Sequence, residues 1–162
     1  MAKKAAGFVL PDALVNAFAI NDRINRYLLK NLPEDAWRAE PPDGKGRNIA
    51  AIVAHMHNVR VMWLKAAAKG IKPPEPVDRF HATVNETIRA LEQSHDALAA
   101  VMKAALAGDG QVKGFKPDVA AFFGYLVAHD AHHRGQISQL ARQVGHPIPQ
   151  KAMFGMWEWG KR

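Results

Sequence analysis

Four stretches of this sequence repeat apolar residues at steps of three and four, and none alternates with period two over a useful length. That pattern admits amphipathic helices and leaves nothing to build a sheet from. The stretches cover residues 12–31, 48–69, 79–107 and 119–144. Pro11-Asp12 reads as the stop and cap opening the first, Asn48 as the N-cap of the second and Gly70 as its end. Gly108-Asp109-Gly110 closes the third, and Gly145-His146-Pro147 stops the fourth. Between the first two helices, residues 33–47 contain Pro41-Pro42-Asp43-Gly44-Lys45-Gly46, a long turn-rich connection expected to cover one end of the molecule or line a site. Ile71-Lys72-Pro73-Pro74-Glu75-Pro76 is a stiff proline connector. The expected fold is all-α, an antiparallel four-helix bundle whose second and third connections join neighbouring helices. With 162 residues and 48% hydrophobic content, the chain suits one domain over residues 1–162. The tail after Pro147 holds Phe154, Trp157 and Trp159, and is expected to pack on the bundle or on a partner subunit.

Composition narrows the chemistry. The chain has no cysteine, which excludes disulfides, thiolate metal sites and cysteine nucleophiles and leaves His, Asp and Glu as metal ligands. The formal charge is +7, but the cations are scattered in small groups at connections and termini. That distribution argues for a solvated basic surface, able to attract a small anion, and against nucleic acid. Pro11, Asp12 and Asn16 interrupt the N-terminal apolar residues before a signal sequence could develop, and no apolar run approaches the roughly 18–20 residues needed to span a bilayer. A soluble cytoplasmic protein is expected, with no membrane partner.

The fourth helix carries the anomaly. Its stripe runs Phe122, Leu126, His129, His133, Ile137, Leu140 and Val144, so two imidazoles stand where the period requires apolar side chains. They lie four apart, one turn above the other on one face, and can offer two nitrogens to one ion. Otherwise each buried ring nitrogen needs a hydrogen-bond partner. A third ligand would come from the second helix, which offers His55 and His57. On a helical wheel His55 lies roughly 80° and His57 roughly 120° from the centre of the apolar arc, which favours His55 and leaves His57 open. Arg60 sits near the centre of that arc, either snorkelling to a helix end or contacting the cavity. Tyr125, one turn before His129, either orients a substrate or belongs to the core. His81, His95 and His146 share no spacing, and His132 falls outside the stripe. Asp130 follows His129 directly and projects away from its face, so no carboxylate base is evident.

The histidine early in IVAHMHNVRVMWLK, together with the run HDAHHRGQISQL and the four-helix pattern, resembles the DinB-like superfamily of metal-binding four-helix bundles over essentially the whole chain. The most specific part is His129, His133, Arg134, Gly135 and Gln136. The resemblance implies one divalent ion, commonly zinc or nickel, held by His55, His129 and His133, and it selects His55 over His57. Gly135 would allow close helix approach, and Gln136 and Arg134 would hydrogen-bond groups around the ligands or end in solvent.

Three neutral imidazoles leave a coordination position open, the arrangement of catalytic zinc; water there is acidified and a thiol held as thiolate. The resemblance therefore implies an enzyme activating a low-molecular-weight thiol (a thiol S-transferase) or water against a small electrophilic substrate. The competing expectation is a non-catalytic, stress-associated metal-binding module. A homodimer is expected by the same resemblance.

Overall fold

A computed structural model of the chain describes residues 7–67 and 70–162. These residues form four long helices, α1 (Leu10–Lys30), α2 (Ile49–Ala67), α3 (Val84–Ala107) and α4 (Val119–Gln143), followed by a short α5 (Gln150–Gly155), with no strand among them. The last two residues of the expected second helix, 68 and 69, lie outside the described residues.

Local chemistry explains where the helices begin. The Asn48 side chain accepts the Ala51 N–H at 3.0 Å, and the Asp118 side chain accepts that of Ala121 at 2.9 Å. Each thus satisfies one of the amides that a helix start leaves unpaired. Two starts differ from expectation. Pro11 lies inside the first turn of α1, with Val9 at the cap position, because a proline there forfeits no helical hydrogen bond. α3 begins at Val84, five residues after Arg79, where Thr83 and Glu86 form a reciprocal capping box. The Thr-x-x-Glu spacing fixes that start, whereas apolar period alone does not.

Two apolar clusters fill the interior. One holds Leu28, Leu29, Ile49, Val53, Met56, Leu91, Ile137 and Leu140. The other holds Phe18, Leu64, Leu98, Met102, Phe122 and Leu126. The order in which each helix visits them gives its direction: α1 and α4 run one way, α2 and α3 the other. α1 and α2 each pack against both α3 and α4, so α1 lies diagonally across from α2. Here the structure departs from the expected connectivity. The second connection joins neighbouring helices as expected, but two that run parallel, and the third joins helices that touch only lightly. The proline connector makes this possible by running back along α2. Asn58 pairs both ways with the Val77 backbone, at 3.1 and 2.8 Å, and the His57 ring meets the Glu75 carbonyl at 2.9 Å. A segment clipped in this way is a crossover, and its length says nothing about whether the helices it joins run parallel or antiparallel.

The first connection covers the end of the bundle, as expected. Buried Trp37 donates its indole N–H to the Ala82 carbonyl at 3.1 Å, and Arg38 donates to the Phe80 and Ala82 carbonyls. The tail packs on the first cluster through Ile148 and Ala152. Gly155 presses on Tyr27: a Cβ there would stand 2.8 Å from the tyrosine ring and collide with its hydroxyl. Phe154 and Trp157, however, face outward, 67% and 80% exposed. The small and aliphatic residues of the tail, not its aromatics, make the contact.

Between the two apolar clusters lies a polar layer. Arg60 from α2 is buried and donates to Asp22 of α1 and Asp130 of α4, both at 2.8 Å, and to the Leu91 carbonyl at 3.1 Å. Asn21 and Asn25 donate to the same Asp130 oxygen at 2.6 and 2.8 Å. Arg134 donates in turn to the side-chain carbonyls of those two asparagines. Neighbouring charges and hydrogen bonds hold Arg60 fully protonated against the cost of burial.

Candidate metal centre

α2 and α4 run antiparallel beside each other, and the polar layer fixes their relative height. That arrangement brings His55 against His129 and His133. One ring nitrogen from each of the three lies within 4.8 Å of the others. The ring centroids are separated by 5.4 Å (His55 to His129), 4.9 Å (His55 to His133) and 4.5 Å (His129 to His133). The Nε2 atoms of His129 and His133 are 3.2 Å apart. Two imidazole nitrogens on one tetrahedral zinc, with bonds of about 2.0–2.1 Å, stand about 3.3 Å apart, so the pair is already spaced as ligands of one ion.

His133 Nδ1 lies 2.7 Å from Gln136 Oε1. An amide oxygen only accepts, so Nδ1 carries the proton and Nε2 keeps its lone pair directed at the triad. Burial and its neighbours hold all three histidines neutral. The pKa of His129 falls to about 4, chiefly by desolvation and then by the charge of His133. That of His55 is lowered by desolvation and by Arg47. That of His133 is lowered mainly by desolvation, with Gln136 opposing. Neutral imidazole is the form that ligates a metal.

The remaining candidates fall in different places. Tyr125 stacks on His129 with centroids 5.9 Å apart, and its other face joins Trp63, Phe115 and Phe122. It is thus both a core aromatic and a wall of the triad. His57 is fully buried and lies away from the three, its Nδ1 3.2 Å from Ser94 Oγ and its Nε2 on the Glu75 carbonyl. The wheel set it farther from the buried arc than His55. The crossover segment, which a wheel cannot anticipate, covers it and makes it the more buried of the two. Arg60 neither snorkels nor reaches the triad, because Asp22 and Asp130 hold it inside. Asp130 points away from the triad as expected, but into the bundle. Arg134 ends on Asn21 and Asn25 rather than in solvent. Gly135 is exposed, and a Cβ there would meet nothing within 4 Å, so close helix approach does not explain it. His132 is exposed, outside the triad.

Asn21, Asp22 and Asn25 escaped the sequence reading. Their signal was polar residues set one and four apart inside the apolar stripe of α1, and their partners lie more than thirty residues away.

A family model described as the DinB family matches residues 1–159 of this chain. No curated protein and no solved structure matches it.

Proposed function

The chain belongs to the DinB family, and from that premise we propose a metal-dependent enzyme in which His55, His129 and His133 hold one divalent ion, zinc or nickel. The observation that carries this reading is the convergence of three neutral imidazole nitrogens within 4.8 Å. When bound, such an ion supplies Lewis acidity and holds a thiol or water in its deprotonated form. The activated group is a small thiol, as in a thiol S-transferase, or else water, and the acceptor is a small electrophile.

The side chains divide the remaining tasks. Gln136 accepts the hydrogen bond of the His133 Nδ1–H and so keeps the ligating nitrogen free. Tyr125 shields one face of His129 from solvent. The protein works as a cytoplasmic homodimer; the outward Phe154 and Trp157 support a partner surface, and no helix among the described residues is long and apolar enough to cross a membrane.

One observation favours a second reading, a non-catalytic metal-binding module. Among the described residues no carboxylate joins the cluster, and the adjacent Asp130 is committed to Arg60. A metal-held nucleophile needs no such base, which keeps the enzyme first. Metal analysis of untagged protein tests the site: about one equivalent, lost in His55→Ala, His129→Ala and His133→Ala. Full retention in His133→Ala removes it. Conjugation of small thiols to electrophiles, abolished by chelation, separates the enzyme from the module.

A further inference from the structure

Beside the triad, the first connection and the C-terminal half of α4 enclose an open groove of about 630 Å³. Its walls carry Lys45 and Arg47 on one side and Gln136, Gln139 and Gln143 on the other; Ile52 and Leu140 also line it. Asp43 lines the rim, its carboxylate accepting the Lys45 backbone N–H at 3.0 Å. Among the described residues neither the Lys45 ammonium nor the Arg47 guanidinium pairs with a carboxylate, unlike Arg26 and Arg60. Gln136 belongs at once to the groove wall and to the His133 contact. The groove therefore adjoins the triad through Gln136 and offers two free cations, a row of amides and a short apolar contact.

We propose that this groove binds the carboxylate end of a small organic anion, with Lys45 and Arg47 as counter-charges and Gln139 and Gln143 as hydrogen-bond donors, and delivers its thiol to the triad. The thiol part rests on the function proposed above; the carboxylate part stands on the groove alone. Planar guanidinium and amide donors suit a carboxylate, and a ligand touching Ile52 and Leu140 carries a short aliphatic backbone.

The test uses two probes. Succinate binds the full-length, metal-free protein, and neutral succinamide binds at least about tenfold more weakly, the scale of a charge-assisted contact. The Lys45→Ala/Arg47→Ala double variant loses about tenfold or more of the succinate affinity, and Arg47→Lys retains most of it. Equal affinity for succinate and succinamide, undiminished binding in the double variant, or tighter binding of inorganic phosphate than of succinate would overturn the carboxylate assignment. In zinc-loaded protein, mercaptosuccinate binds at least about tenfold more tightly than 2-mercaptoethanol, an advantage that disappears in the double variant; if it persists, the groove does not receive the carboxylate. Wild-type protein that discriminates succinate from succinamide but takes up no zinc defeats the metal reading and leaves the groove standing.

Discussion

At the scale of single residues, Gln136 does most for the triad without belonging to it. Its amide oxygen holds one imidazole in the ligating tautomer, so Gln136→Ala is expected to weaken zinc affinity by about 10–100-fold while leaving the fold intact, measured by competition with a chromophoric chelator. The lowered pKa values make a second prediction. With His129 titrating at about 4 and the other two also depressed, the triad has no proton to give up at pH 7. Any proton that zinc binding releases there comes from metal-bound water, and the dependence of the calorimetric enthalpy on buffer ionisation heat counts it. The sign for stability follows from the same shifts. Each folded-state pKa lies below its unfolded value, so below about pH 6.5 the unfolded chain binds more protons. The metal-free protein is therefore destabilised progressively as pH falls from about 6.5 towards 4, which thermal melts across that window detect. His129 and His133 were legible because a turn of one helix relates them. His55 needed both a wheel and a family likeness, since periodicity says little about what stands across a gap. The partners of Arg60 were illegible, because no local period encodes a charge pair formed between three helices.

Among the elements, α1, α2 and α4 are joined by buried charges as well as by the apolar clusters. Removing one member of a buried pair strands the other, which costs about 3–5 kcal/mol. Asp130→Ala should lower unfolding stability by that amount in a denaturant titration. An apolar replacement of Arg60, Asp22 and Asp130 together should cost less than the three single changes summed, because Arg60 and its two carboxylates leave together. Thr83→Ala removes the capping oxygen of α3 and is expected to cost about 1 kcal/mol. The elements themselves were largely readable: α4 ends within a residue of its expected limit, and α2 begins beside the asparagine that caps it. The start of α3 was displaced because a capping pair outweighs apolar spacing. The relative direction of α2 and α3 was unreadable for a different reason. The crossover is held by Asn58 and His57, residues that look like ordinary positions of α2.

For the whole molecule, an ion held by α2 and α4 together ties two helices that the sequence connects only through α3. Free zinc at about 100 times its dissociation constant should stabilise the fold by about 2.7 kcal/mol, a rise in Tm of roughly 5–10 °C for a chain of this size. The Ala variants of His55, His129 and His133 should show none of it. The polar layer between the two apolar clusters sets the register of this linkage. If α4 slipped one turn, its residues would move about 5.4 Å along the bundle, and Asp130 would lose Arg60, Asn21 and Asn25 in a single step. The charges thus act as an index mark, and a chain that has found its ion pairs has also brought His129 and His133 level with His55. Register and triad are thus one property: the contacts that index α4 against α2 also decide which histidines face one another.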